Sequence, residues 1–463
     1  MTRTDYTQPR VVANGRAIET ATWRARGVLY VLVASLICNS LPLSALVRAL
    51  LALPAVVILP LQLGSLLLKA ANRWIRGLPT ARNPIARGLI GWWTGLVFLA
   101  GLANALQHLG LFVLLKPLPW FILGILAAYA VYGLVRSGGW ARLDLDMIRD
   151  LLRNEWPILG ALLLGFTPLW IHKRAFPFPI FMRNSFTLAN MVYQPVERLL
   201  RDGYLTFEPS HKTGSYLLIF LPSALSNVDP LAVAWTLPFL QVVVFALGLY
   251  LWAYEVSRSR LLAVLVPLFG GFVLSAGPLF ETTPLVFRSN SVQLALLPLT
   301  LWVLHRYADR RPSSKGLALP VLLSAAGFVV WFAVIHSDKL FWPGCLLALY
   351  RGQDLVRLLH LYGVEWSART AAVFGWLALP VLLLVRALFG RDHPHRDLVS
   401  LFVLLTAFQF QLHAWEAPIF LGIAWAYLVV KILLKQRALL PFAYLVIAGI
   451  WLFWFFQWAG MIT

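Results

Sequence analysis

Apolar stretches long enough to cross a bilayer follow one another along most of this chain, separated by short clusters of basic and turn-forming residues. A hydrocarbon core about 30 Å thick needs about 20 residues of helix. The pattern predicts two hairpins first: residues 28–68, broken near Asn39–Pro42 and Arg48, and residues 88–135, turning near Gln107–Gly110. Nine further spans are expected, over 157–171, 230–254, 261–276, 291–305, 317–335, 370–386, 398–411, 418–434 and 438–460, giving thirteen within a range of eleven to fourteen. LFWPGCLLALY, within 340–369, is too short to cross, and DLVRLLHLYGVEW reads as an amphipathic segment lying in the interface. The apolar runs do not alternate with period two, as barrel strands would. Helices also satisfy their own backbone in lipid, so the expected fold class is an all-α polytopic membrane protein.

Composition agrees with the pattern. Of 463 residues 60% are hydrophobic and 13% charged, and the mean hydropathy is +0.75, more apolar surface than a soluble domain can hide. A net charge of +20 would point to nucleic acid in a soluble chain. Here topology accounts for it and no nucleic acid is expected, because lysine and arginine collect in cytoplasmic loops. Residues 1–27 carry Arg3, Arg10, Arg16, Arg24 and Arg26 and no cleavable signal, which suits a cytoplasmic tail. Oriented from that tail, 26 of the 39 basic residues fall inside, 11 outside and two within spans, whereas the acids divide 10 to 9. The expected location is the plasma (inner) membrane. Three parts follow: the tail 1–27, a four-span module over 28–155, and a core over 156–463 with an external loop at 172–213. Cys38 and Cys345 lie far apart in apolar surroundings and read as core residues.

Candidate chemistry sits in four segments on the predicted outer side: 172–213, 277–290, 336–339 and 411–418. They carry His172, Lys173, Arg174, Arg183, His211, Lys212, Glu281, Arg288, His336, Asp338, Lys339, His413 and Glu416. Taken singly, such groups are solvated loop residues that anchor helix ends at headgroups. Taken together, the cations could grip a phosphate and a carboxylate could act as base. The HPH at 393–395 reads as a solvated loop on the inner side. No P-loop, GxGxxG, HExxH or GxSxG pattern is present, which leaves nucleotide-driven and serine-hydrolase chemistry without support.

Within the long loop stands NMVYQPVERLLRDGYLTF, with Gly203, followed by the apolar HKTGSYLLIFLPSALSNVDP. YEVSRSR closes the next span, and SAGPLFETTPLVFRSNSVQLALLPLTLWVLHR reads as span end, external loop and returning helix. From residue 157 onward this order resembles the GT-C superfamily, membrane glycosyltransferases that use polyprenyl-phosphate sugars. The resemblance implies a GT-C-like core preceded by two helical hairpins, with a loop helix followed by Gly203 and with Lys212 at the position of the phosphate-contacting lysine. The family carries an acid near the start of the loop helix, where it binds metal or activates the acceptor. Here that region reads TLANMVY, with Asn190 and no acid. The role would then pass to Glu281, Asp338 or Glu416.

The implied function is sugar transfer from a polyprenyl-phosphate donor to an acceptor at the outer face. Lys212 and Arg288 would hold the phosphate, with His211, Arg183, His336, Lys339 and His413 lining the substrate. Glu281, Asp338 and Glu416 are the candidate catalytic acids. No cofactor is firmly implied beyond a candidate divalent cation, and no metal motif appears in the residues. Expected partners are the polyprenyl-phosphate lipid, membrane lipids and a protein partner docked through the four-span module. Two alternatives stay open: a non-catalytic GT-C-like subunit of a larger membrane complex, and a lipid or solute transporter. The transporter reading has less behind it, because few charges lie within spans and no repeated halves are evident.

Overall fold

The computed structural model describes residues 10–71, 84–136, 194–203, 213–276, 291–310 and 396–412, with scattered positions between 158 and 170, 382 and 387, and 420 and 430. Among the described residues the chain is helical and contains no strand. The helices are α1 (Arg10–Ser40), α2 (Ala45–Ala71), α3 (Pro84–His108), α4 (Leu118–Arg136), α5 (Gln194–Asp202), α6 (Thr213–Ser226), α7 (Pro230–Ser257), α8 (Arg260–Ala276), α9 (Ser291–Arg310) and α10 (Arg396–Leu412). Four stretches are long and apolar enough to cross a membrane: Ala45–Ala71, Ile85–Gln107, Leu118–Val135 and Pro230–Ser257. The protein is an all-α membrane protein. α1 begins at Arg10, well before the apolar run starts, so helix continues into the polar segment that sequence alone reads only as a tail.

Two helices of the first half meet at backbone distance. α3 carries Gly91 and Gly95 one turn apart in GWWTG, and they face α2. A β-carbon on Gly95 would collide with the Pro60 carbonyl, one on Gly64 would collide with the Gly91 carbonyl, and one on Gly91 would lie 3.0 Å from Ser65 Oγ. Small residues allow this approach in lipid, where dispersion rather than the hydrophobic effect holds helices together. Proline at position 60 cannot donate to the carbonyl of Val56, four residues earlier. Trp92 Nε1 of α3 donates to that carbonyl at 2.8 Å, so the freed group is satisfied across the interface, as lipid requires.

The pairing of residue 60 with 95 and 64 with 91 makes α2 and α3 antiparallel. The α1–α2 turn and the end of α3 therefore lie at one end of the bundle, called the upper end here. α2 touches both α1 and α3. Arg258 closes α7 in the left-handed region (φ 55°), its N–H donating to the Tyr254 carbonyl, and α8 starts two residues later, so α7 and α8 form a hairpin. Gly248 of α7 sits against α9, where a β-carbon would lie 3.1 Å from Leu299 N. α1, α3, α8 and α10 thus run toward the upper end, and α2, α4, α7 and α9 run away from it. This is the alternation that the basic loops predict.

α6 breaks the alternation. Its first residue, Thr213, bonds to Asn104 near the end of α3. At its other end, Asn39 Nδ2 of α1 donates to the Leu225 carbonyl at 2.7 Å, and Arg48 of α2 donates to the Asn227 carbonyl at 3.4 Å. Both termini therefore lie at the upper end. Fourteen residues of helix measure about 20 Å, and helices two neighbours apart are separated by about 16–20 Å. α6 accordingly lies across the bundle rather than through it. Thirteen of its fourteen residues are buried, which makes it the lintel on which α1, α2, α3, α4, α5, α7 and α10 all pack.

Candidate functional site at the upper end of the bundle

Below this lintel the apolar interior gives way to a seam of uncharged polar side chains. The Thr213 hydroxyl donates to Asn104 Oδ1 at 2.5 Å, and Asn104 Nδ2 donates to Gln411 Oε1 at 2.7 Å. Gln409 lies two residues from Gln411, about 200° around α10, and reaches the opposite neighbour. Its Nε2 donates to Thr300 Oγ1 of α9 at 3.1 Å, and its carbonyl accepts from Gln293 Nε2 at 3.4 Å. Asn104, Thr213, Gln293, Thr300, Gln409 and Gln411 are all buried. Thus α10 is wedged between α3 and α9 by one amide on each side. α6 and α10 also meet closely, since a β-carbon on Gly214 would lie 3.0 Å from Leu412 Cα.

Gln241 of α7 belongs at the same level. It lies two turns before Gly248 and so on the same helix face. Residue 292, seven before Leu299 on the parallel α9, marks its height. Gln241 is 3% exposed, and neither of its amide atoms has a hydrogen-bond partner among the described residues.

A second polar group lies on top of the bundle. α5 buries Pro195, Val196 and Leu199 and exposes the opposite face. Arg201 Nε and Nη2 donate to the two carboxylate oxygens of Asp202 at 2.9 and 3.0 Å. These bonds hold the Asp202 carboxyl below the ordinary range, and the charges of Arg201, Arg198 and Lys116 act in the same direction. At the lower end, His305 of α9 is hydrogen-bonded to Tyr427, and Arg306 lies over the Trp302 ring at 5.3 Å.

The residues singled out from the sequence, Glu281, Asp338, Glu416, Lys212, Arg288, His211, Arg183, His336, Lys339 and His413, lie outside the described residues. The described helix ends that lead to several of them are close together. Lys212 and His211 immediately precede Thr213, His413 follows Leu412, and Arg288 stands three positions before Ser291. Thr213, Leu412 and the start of α9 all border the amide seam. Among the described residues no group of three His, Cys, Asp or Glu side chains is placed to hold a metal ion.

The amide seam itself was not anticipated. A search for charges passes over neutral amides, although Asn104, Gln241, Gln293 and Gln409 each interrupt an apolar run and could have been noticed on that ground. Amides and hydroxyls carry no charge for acid–base chemistry at neutral pH. They suit recognition of neutral hydroxyl-bearing groups, to which they both donate and accept.

No family model, curated protein or solved structure matches this chain.

Proposed function

We propose that the protein is an integral membrane glycosyltransferase of the plasma membrane, with its N-terminus cytoplasmic and its upper end outward, moving a sugar from a polyprenyl-phosphate donor to an acceptor. One observation carries this reading. Three stretches remote in sequence, beginning at Thr213, beginning at Ser291 and ending at Leu412, border one buried amide seam at one end of the bundle. Each leads into a segment bearing a candidate phosphate or acid–base group: Lys212, Arg288, and His413 with Glu416.

In this reading the lipid donor enters sideways between helices. Lys212 and Arg288 offset the charge that develops on the leaving phosphate as the bond from the sugar's anomeric carbon to phosphate oxygen breaks. A carboxylate from Glu281, Asp338 or Glu416 takes the proton of the acceptor hydroxyl as the new glycosidic bond forms. His336 or His413 orients that carboxylate, and the amide seam offers partners for sugar hydroxyls. Lys212→Ala and Arg288→Ala, assayed for transfer from polyprenyl-phosphate hexose or pentose in membranes, should each lower turnover about a hundredfold, the scale seen when one charge-stabilising donor is removed. Unchanged transfer in both variants removes the phosphate cradle.

A second reading, a non-catalytic subunit of a larger membrane assembly, is favoured by TLANMVY, which has no acid where the resembled family carries one. The lower part of the outward face of α4, with Tyr129, Tyr132 and Val135 exposed, would then meet a partner. Co-purification of a stoichiometric protein, with no bound polyprenyl lipid, would support it.

A further inference from the structure

The segment LGLFVLLKP, residues 109–117, joins α3 to α4 through a single turn of 3-10 helix at Phe112–Leu114. Four of its apolar side chains point outward while Leu115 is buried: Leu109 is 70% and Val113 71% exposed, with Leu111 and Leu114 about half exposed. Such an apolar turn is unfavourable in water at about 25 cal/mol per Å². It is stable where it dips into the acyl boundary of a bilayer.

α5 closes onto this turn from behind. Gly203 adopts the left-handed conformation (φ 69°) just after α5, and a β-carbon there would lie 3.2 Å from the Phe112 carbonyl and 3.8 Å from Lys116 Cβ. Lys116 Nζ donates to the Arg201 carbonyl at 3.4 Å, one of the groups left without an intrahelical partner at a helix C-terminus. Arg201 is engaged with Asp202. Arg198, whose charge also reaches Asp202, makes no hydrogen bond or ion pair among the described residues. Three cations thus stand against Glu197 and Asp202, and Arg198, together with the ammonium donors of Lys116 beyond the one given to Arg201, can meet another anion. Directly below, Phe121 and Ile125 of α4 lie one turn apart on an exposed face.

From this geometry we infer that the α3–α4 turn and α5 form a seat for an anionic phospholipid, its phosphate between Lys116 and Arg198 and its acyl chains along Phe121 and Ile125. Charge complementarity favours an anionic over a zwitterionic headgroup. The seat is separate from the proposed Lys212 cradle. Trp120, four residues after Lys116, donates to the Ala224 carbonyl near the end of α6, whereas Thr213, the first residue of α6 and next to Lys212 in sequence, borders the amide seam about 17 Å away along the helix. The inference stands whether or not the protein transfers sugars.

The test is native mass spectrometry of the full chain released from nanodiscs of phosphatidylcholine containing a minority of phosphatidylglycerol. Wild-type protein should retain phosphatidylglycerol preferentially. Each cation near a membrane surface contributes about a fivefold factor in affinity, so Lys116→Ala with Arg198→Ala should weaken retention about twenty-five-fold at low salt. The charge-conserving pair Lys116→Arg with Arg198→Lys should restore it, and Arg306→Ala at the lower end should leave it unchanged. Should the alanine pair lower the unfolding temperature, the glutamine pair at the same positions takes its place. Undiminished phosphatidylglycerol retention in the double variant overturns the proposal. An equal loss of phosphatidylcholine overturns it too, since that would show general loosening rather than recognition of charge.

Discussion

Two interfaces made by the same helix, α3, are built on opposite principles. Along its lower and middle part α3 meets α2 through glycines, backbone against backbone, and the hydrogen bond from Trp92 of α3 to Val56 of α2 serves a carbonyl that Pro60 has freed. Near its upper end α3 meets α6 and α10 through Asn104, whose amide is engaged on both its oxygen and its nitrogen. The first interface is fixed by shape. The second is fixed by partners, and it occurs where the described helix ends next in sequence to Lys212, Arg288 and His413 lie close together. In lipid the apolar medium gives no driving force between helices, so shape holds the frame while hydrogen bonds choose which ends come together.

The sharpest way to break this contrast is at Gly95. Leucine there would drive its β-carbon into the Pro60 carbonyl, and neither backbone can yield without separating the helices. Gly95→Leu should destabilise the protein by more than about 3 kcal/mol, the upper range for overpacking, and folded material should largely disappear on size-exclusion in detergent. A normal yield with an unchanged unfolding temperature would show that the close approach does not matter.

Asn104→Leu tests the other interface. It removes one hydrogen bond from the Thr213 hydroxyl and one from the Gln411 amide oxygen, both on buried residues. Hydrogen bonds between membrane helices contribute about 0.6 kcal/mol on average and up to about 1.7, and two partners are lost, so a cost of about 1–2 kcal/mol is expected. Thermal unfolding in detergent would read it. If the amide seam also receives substrate, sugar transfer should fall further than stability does. A loss as large as that at Gly95 would mean that the upper end, too, depends on shape.

The frame was far more legible in the sequence than the seam. Hydropathy locates the hairpins because α2, α3 and α4 each have the length that a hydrocarbon core requires. The turn at Ser40–Ser44 falls beside Asn39–Pro42, and that after His108 falls beside Gln107–Gly110, where polar and glycine residues interrupt the runs. α5 is readable from its amphipathic pattern and the glycine that follows. α6 is not, because its orientation is not encoded locally. Fourteen apolar residues can be a short span or a buried crosspiece, and only contacts at both of its ends decide. Its uniform apolarity is a hint, since a helix apolar all round is buried all round. The amides escape because burial and a partner, rather than charge, make them consequential. The candidate site residues lie outside the described residues, and the closeness of the helix ends at Thr213 and Leu412 depends on contacts between remote stretches that no local pattern contains.

The smallest expected effect, at Gln241, sharpens the comparison most. A buried amide with no partner is destabilising, and in lipid the unfolded reference also finds partners, which reduces the net value. Gln241→Leu keeps nearly the same volume and removes an unpaired donor and acceptor from the interior of α7. If Gln241 is simply an orphan in a shape-determined contact with α9, the variant should gain about 0.5 kcal/mol and unfold at a slightly higher temperature. If Gln241 belongs functionally to the neighbouring amide seam, the same variant should lose stability, or lose sugar transfer at unchanged stability, because its amide then serves a molecule held there. The sign of one small change therefore assigns α7 either to the frame held by shape or to the end held by hydrogen bonds, and measuring it beside Asn104→Leu under the same conditions gives the scale on which to read it.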